Sequence, residues 1–191
     1  MTAAPTAGVI LAGGTSSRMG RPKALVPFRG QPMVLHVAQA LGAVVDDFLV
    51  VTNDPSLAAN LAVPVVPDPP GAAGPLAGIA AGLDALDGRG AIVLACDMPL
   101  VEPHALTAIL DLSEDHEAVV PRTDDGRLEP LHAFYGPACR EAAWELVRRG
   151  ERRAHALADA VRTLFVPTSD IDPSGASFTS VDTEEALARL G

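Results

Sequence analysis

The chain has 191 residues, 48% of them hydrophobic, which is enough to bury one core and too few for two. Its 24 acidic side chains against 14 basic ones give a formal net charge of -10, the opposite of the balance found in nucleic-acid or anionic-membrane binders. Cys96 and Cys139 form no Cys-x-x-Cys pair, no basic region leads into an apolar leader, and no apolar run nears the ~20 residues of a membrane span, so a cytoplasmic protein without a zinc or disulfide framework is expected.

The first predicted strand is Gly8–Leu11. It empties into a loop holding Gly13, Gly14 and Gly20, the hydroxyls of Thr15, Ser16 and Ser17, and two cations, Arg18 and Lys23. Glycines let backbone N–H groups turn toward a ligand, and cations a few residues on neutralise what those groups cradle, so the natural guest is a polyphosphate. The spacing is not that of a P-loop, because Gly20 is followed by Arg21 and Pro22. It is not the dinucleotide fingerprint either, because Gly13 and Gly14 are adjacent and Pro22 and Pro27 oppose an early helix.

A helical pattern follows over Pro32–Leu41, then strands at Phe48–Thr52 and Val63–Val66, ending in Asn53 and Asp68. Gly71, Gly74, Pro75 and Gly78 open a helix over Leu76–Leu86. The strand Ala91–Ala95 runs into Cys96-Asp97-Met98-Pro99, ahead of a helix near Pro103 capped at Val101 or Glu102 and a strand at Ala118–Val120. Nearly continuous apolar strands alternating with helices predict an α/β fold: a single-domain, Rossmann-like three-layer sandwich around a mostly parallel sheet. Beyond Pro121 the pattern loosens. Arg127–Tyr135 reads as an edge strand or bulge broken at Pro130, and Pro137–Arg149 and Arg153–Val161 read as helices. Strands are expected near Thr163–Val166 and Ser177–Val181, then a helix over Thr183–Leu190 with Asp182 as N-cap and Glu185 as capping-box partner. No linker divides the chain, so residues 1–191 are expected to form one domain, with residues 7–121 as a nucleotide-binding half and 122–191 as an acceptor-binding half. The Gly13 loop, Asn53, Asp68 and Asp97 each follow a strand and should meet at one sheet edge.

The run Leu11-Ala12-Gly13-Gly14-x-Ser16-x-Arg18-Met19-Gly20-x-x-Lys23 resembles the signature loop of nucleotidyltransferases that activate small phosphorylated or sugar-like substrates with an NTP. Within that group the chain most resembles the molybdenum cofactor guanylyltransferases. Phe28-Arg29-Gly30-Gln31-Pro32-Met33, Gly74-Pro75-Leu76-Ala77-Gly78, Cys96-Asp97-Met98-Pro99, Glu129-Pro130-Leu131 and Asp182-Thr183-Glu184-Glu185-Ala186-Leu187 fall in that family's order, from about Ala7 to Leu190.

The resemblance implies the nucleotide-diphospho-sugar transferase type of sheet and an enzyme that moves GMP from GTP to the phosphate of molybdopterin, with or without molybdenum, releasing pyrophosphate. It implies Mg²⁺ as cofactor, with Asp97 as metal ligand and Arg18 and Lys23 on the phosphates. Leu11, Ala12, Gly13 and Gly14 would line the base and phosphates, with Gly74 near the nucleoside. Asn53 and Asp68 would hold base and ribose, although both also stand in good turn sequences. Partners are GTP, the molybdopterin acceptor and other molybdenum-cofactor proteins. Arg122, Arg127, Arg152 and Arg153 are candidate acceptor cations and His132 a candidate donor, while His36, His104, His116 and His155 read as structural. The chain departs from the family's Asn-x-Asn before the last helix, carrying Ser180-Val181-Asp182, where Asp182 is either a metal ligand or a helix cap. Three alternatives stay open: a cytidylyltransferase of the same pathway, another small-metabolite nucleotidyltransferase, and a non-catalytic nucleotide-binding protein.

Overall fold

The computed structural model describes residues 6–13, 22–54, 56–57 and 63–190. Seven of its strands make one sheet: β1 (Ala7–Leu11), β4 (Phe48–Val51), β5 (Val65–Val66), β6 (Ala91–Ala95), β7 (Ala118–Arg122), β8 (His132–Tyr135) and β9 (Thr163–Pro167), in the order β5-β4-β1-β6-β8-β7-β9. Two further strands, β2 (Pro27–Phe28) and β3 (Gln31–Pro32), form a small hairpin. Its turn, Arg29-Gly30, has φ of 44° and 87°, the left-handed pair that a two-residue hairpin turn requires.

β1 is central and parallel to both neighbours, with Val9 opposite Leu49 and Val93. Side chains alternate between the faces. Val9, Leu49, Val51 and Val93 pack under α2 (Pro75–Ala85), α4 (Cys139–Arg148) and α5 (His155–Ala160). Ile10, Val50, Ile92 and Leu94 pack under α1 (Met33–Gly42) and α3 (Pro103–Asp111). Burial on both faces is why these strands are apolar at nearly every position. The mostly parallel three-layer sandwich expected from the sequence is the fold observed. No helix among the described residues is long and apolar enough to cross a membrane.

Three expectations in the second half need correction. The strand broken at Pro130 is not at an edge: residues 132–135 pair antiparallel with both β6 and β7, and Pro130 stays outside the ladder. Ser177–Val181 is not a strand. Ala176–Phe178 is a 3-10 turn whose polar groups are tied to loops, since Ser177 N–H donates to Asp172 Oδ2 at 2.9 Å and Ser177 Oγ accepts from Glu102 N–H at 3.2 Å. The last helix, α7 (Glu184–Leu190), which follows the short α6 (Thr168–Ile171), is capped by Thr183, whose Oγ1 accepts from Ala186 N–H at 3.1 Å. The cap is therefore not Asp182 with Glu185, and the Asp182 carboxylate serves elsewhere.

His132, expected as a donor to the acceptor, is instead fully buried on β8 beside the Phe178 ring, 4.6 Å between centroids. Neither ring nitrogen has a hydrogen-bond partner among the described residues. Burial pushes its pKa down from 6.5 to about 4, partly opposed by Asp172 and Ser177. A His whose folded pKa is depressed is neutral in the native state, while the unfolded chain takes up a proton below its ordinary pKa. Stability is therefore full above pH 6.5 and falls as the pH drops toward 4. The loss should be roughly 3 kcal/mol. Urea denaturation across this range should show the slope in the wild type and a flatter one in His132→Leu; parallel slopes would assign the acid sensitivity to other groups.

Candidate active site

The carboxyl ends of four parallel strands leave the sheet side by side. Leu11 lies in register with Val51 and Ala95, and Val51 with Val66. The segments after them, Ala12-Gly13, Thr52-Asn53, Pro67-Asp68 and Cys96-Asp97, therefore emerge at one edge. There they bound a cleft of about 480 Å³ whose lining includes Leu11, Ala12, Gly13, Lys23, Asn53, Asp68, Gly74 and Asp97. Sequence reasoning had singled out all eight. Gly14 and Arg18 lie outside the described residues.

Hydrogen bonds divide these residues by what they can still offer. The Leu11 carbonyl accepts from Cys96 N–H at 3.1 Å, Ala12 N–H donates to Val51 O at 2.9 Å, and Thr52 Oγ1 donates to Ala12 O at 3.0 Å. Leu11 and Ala12 thus prolong the sheet, whereas Gly13 keeps its backbone N–H and C=O free among the described residues. Asn53 Oδ1 accepts from Asp68 N–H at 3.0 Å, which fixes the Asp68 loop against the end of β4. The Asp68 carboxylate lies over Gly13 so closely that a Cβ there would come within 2.9 Å of Oδ2. Burial raises its pKa above the usual carboxylate value.

On the other side of the cleft one ammonium bridges two carboxylates. Lys23, in a short 3-10 turn behind Pro22, donates from Nζ to Asp97 Oδ2 at 3.0 Å and to Asp182 Oδ1. Burial alone would lower its pKa, but the carboxylates of Asp182 and Asp97 outweigh that and raise it. Asp182 is brought there by its neighbour. Val181 is fully buried with Val26, Phe28 and Met33, and its N–H donates to the Asp97 carbonyl at 2.8 Å. Asp97 caps no helix, because α3 starts behind Glu102 with Pro103 in its first turn. Two partly exposed carboxylates converging on a cation make the donor set Mg²⁺ takes, one or two carboxylates with the remaining positions left to phosphate and water. Among the described residues no group of three or more His, Cys, Asp or Glu side chains offers a denser cage.

A second cleft of about 480 Å³ shares Pro75, Ala95, Asp97 and Leu131 with the first and continues past Glu129, Arg152, Arg153, His155, Ser180 and Asp182. Of the cations expected for an acceptor, Arg152 and Arg153 reach it. Arg153 is held by Glu151 at 2.9 and 2.7 Å, while the Arg152 guanidinium has no partner among the described residues. Arg122 and Arg127 line neither cleft, and Arg127 lies 2.9 Å from Glu129. Sequence reasoning missed Glu129 as a site residue and left Asp182 undecided. The signal available for Asp182 was Thr183, an equally good cap one position later.

The model of the MobA-like NTP transferase domain matches residues 8–164. A probable molybdenum cofactor guanylyltransferase of Natronomonas pharaonis is 38% identical, covering 95% of each chain. One of Bacillus cereus is 31% identical over 94% of this chain and 92% of its own. The molybdopterin-guanine dinucleotide biosynthesis protein A of Archaeoglobus fulgidus superposes with a TM-score of 0.83 at 23% identity, over 97% of this chain and 96% of that one, which shows the shared fold. The chain belongs to the MobA-like NTP transferase family and is a nucleotidyltransferase.

The clefts meet where the two halves of the chain touch. Gly74, ahead of α2, has φ 93°, and a Cβ there would come within 2.7 Å of the Arg152 carbonyl oxygen, which also accepts from Leu76 N–H at 3.3 Å. Gly71 has φ 77° with open space around it. Gly71→Ala should cost about 1–2 kcal/mol for backbone strain alone. Gly74→Ala should cost about 2–4 kcal/mol, because the Arg152 loop must also move. Chemical denaturation of both variants checks this, and equal losses would mean that the Arg152 loop yields freely.

Proposed function

We propose that this member of the MobA-like NTP transferase family transfers GMP from GTP to the phosphate of molybdopterin or its molybdenum-loaded form, releasing pyrophosphate. The observation that supports this most is the meeting of two clefts at Asp97, one lined by strand-end groups suited to a nucleotide and the other carrying a guanidinium without a partner among the described residues. The names of the relatives supply the identity of donor and acceptor.

In this reading guanine lies against Gly13 and Asp68. The Asp68 carboxylate accepts from N1–H and the 2-amino group, the free Gly13 N–H donates to O6, and Asn53 holds the Asp68 loop in place. Gly14 and Arg18, in the loop between Gly13 and Pro22, serve the phosphates. Asp97 and Asp182 hold Mg²⁺, which supplies charge neutralisation at the α-phosphate and the leaving group. Lys23 then exchanges its two carboxylates for phosphate oxygens, where an ammonium acts as a point charge. Arg152 faces the acceptor phosphate. One of its oxygens forms a bond to the α-phosphorus as the bond to the bridging oxygen breaks in line, and pyrophosphate leaves with that electron pair. The protein contributes position and charge rather than covalent chemistry. Other molybdenum-cofactor proteins receive the dinucleotide.

Asp97→Asn should preserve the fold and GTP affinity while lowering pyrophosphate release by on the order of a thousandfold with Mg²⁺ and molybdopterin present. Turnover near the wild-type rate would remove Asp97 from the metal. In competition GTP should react roughly tenfold or more better than ATP or CTP, because a wrong base leaves the Asp68 carboxylate unpaired. Asp68→Ala should narrow that preference. A preference for CTP would replace the guanylyl assignment with a cytidylyl one.

A further inference from the structure

The second cleft contains a group that the reaction described above does not use. Glu129 is 5% exposed, and its Oε1 has no hydrogen-bond partner among the described residues. Arg127 Nη2 lies 2.9 Å away but not in line for a hydrogen bond, and the Arg127 head is itself largely in solvent, 62% exposed. Both backbone polar groups of Glu129 are engaged, its N–H with Pro121 O at 2.9 Å and its carbonyl with His132 N–H at 3.0 Å. The carboxylate is therefore what this residue has left to present to the cleft. Burial raises its pKa above the ordinary carboxyl value, and Arg127 offsets this only in part. A buried carboxylate whose ion-pair partner among the described residues is a solvent-exposed guanidinium out of hydrogen-bond line is costly, and at the wall of a ligand cleft it is placed to take donors brought by the ligand.

We propose that Glu129 recognises the ring of the acceptor, its carboxylate accepting from N–H donors such as the 2-amino and N3–H groups of a 2-amino-4-oxopteridine. The assignment rests on the acceptor reading above. A carboxylate is acceptor-only and matches two parallel N–H groups in one plane. The remaining polar chemistry of the cleft fits the other end of such a molecule, with the Arg152 guanidinium for an anion and Asp97 where the two clefts meet. Glu129 is thus a specificity residue. Exchanging the 2-amino group for a carbonyl would set an oxygen against the carboxylate, and the buried charge makes that mismatch expensive.

The test uses the fluorescence of pterin (2-amino-4-oxopteridine) and lumazine (2,4-dioxopteridine), titrated against wild type, Glu129→Gln, Glu129→Asp and Arg127→Ala. Wild type should bind pterin roughly tenfold or more tighter than lumazine. Glu129→Gln should lose that preference while its GTP affinity and melting temperature stay near wild type. Glu129→Asp, which keeps the charge but shortens the reach, should weaken pterin and keep the order. Arg127→Ala, which removes only the ion pair, should retain the preference. In turnover with molybdopterin, Glu129→Gln should raise KM for the acceptor about tenfold with little change in kcat. A wild type that binds the two rings equally or not at all, or a Glu129→Gln that keeps the preference and the acceptor KM, overturns the assignment. If ring preference follows Glu129 but wild type releases no pyrophosphate with GTP and molybdopterin, the transfer reaction fails and the ring site stands.

Discussion

The Lys23 ammonium joins three stretches of chain that are distant in sequence: the segment behind the glycine loop, the exit of β6 at Asp97, and the approach to α7 at Asp182. Without a cation between them, the carboxylates of Asp97 and Asp182 would face each other across a partly dry cleft. The rest of the edge is arranged around this meeting. Val181 hangs from the Asp97 carbonyl, the β2–β3 hairpin supplies the apolar bed beneath it, and both clefts open onto the same carboxylate. A resident ammonium holds the two carboxylates in one orientation at the mouth of both clefts. The site is preorganised for charge rather than empty of it.

The first half of the molecule was legible because its physics is local. A strand buried on both faces must be apolar at almost every position, so β1, β4 and β6 announce themselves, and the segments after them fall at the same edge. Asp97 was legible for this reason and because Pro99 forbids regular structure behind it. The second half was harder to read because its decisive contacts are between segments far apart. Periodicity does not encode strand order, so nothing in His132–Tyr135 distinguishes an edge strand from one inserted between β6 and β7. Asp182 and Thr183 are both good caps, and only the distant Lys23 and Asp97 decide which of them caps. Glu129 is one carboxylate among many until its burial is known. The Ser177–Val181 stretch has a strand-like apolar pattern, but Asp172 and Glu102 claim its polar groups.

The two clefts are not independent modules. Gly74 and the Arg152 carbonyl press together where α2 begins, and that helix start walls both clefts. The backbone that carries the Arg152 guanidinium of one cleft is thus in contact with the backbone that shapes the other. An in-line transfer between groups bound in the two clefts would need this kind of rigid shared wall, since small misplacement of reacting atoms is costly in rate.

The late-arriving β8 also leaves a seam across the sheet. β7 has no ladder to β6, and its hold on the remaining strands is the pairing of Ala118 with Tyr135 and Val119 with Phe134, whereas β7 and β9 share five paired positions. β7 and β9 therefore hold each other by a longer ladder than the one that ties them to the rest, to which they are also packed by Ala118 and Val120 in one core cluster with Val9 and Val93, and by Val119 and Val166 beside Ile109, Phe134 and Phe178. Partial openings of the native state follow such lines. Backbone amides of β7 and β9 would exchange with heavy water through excursions that leave β1, β4 and β6 protected.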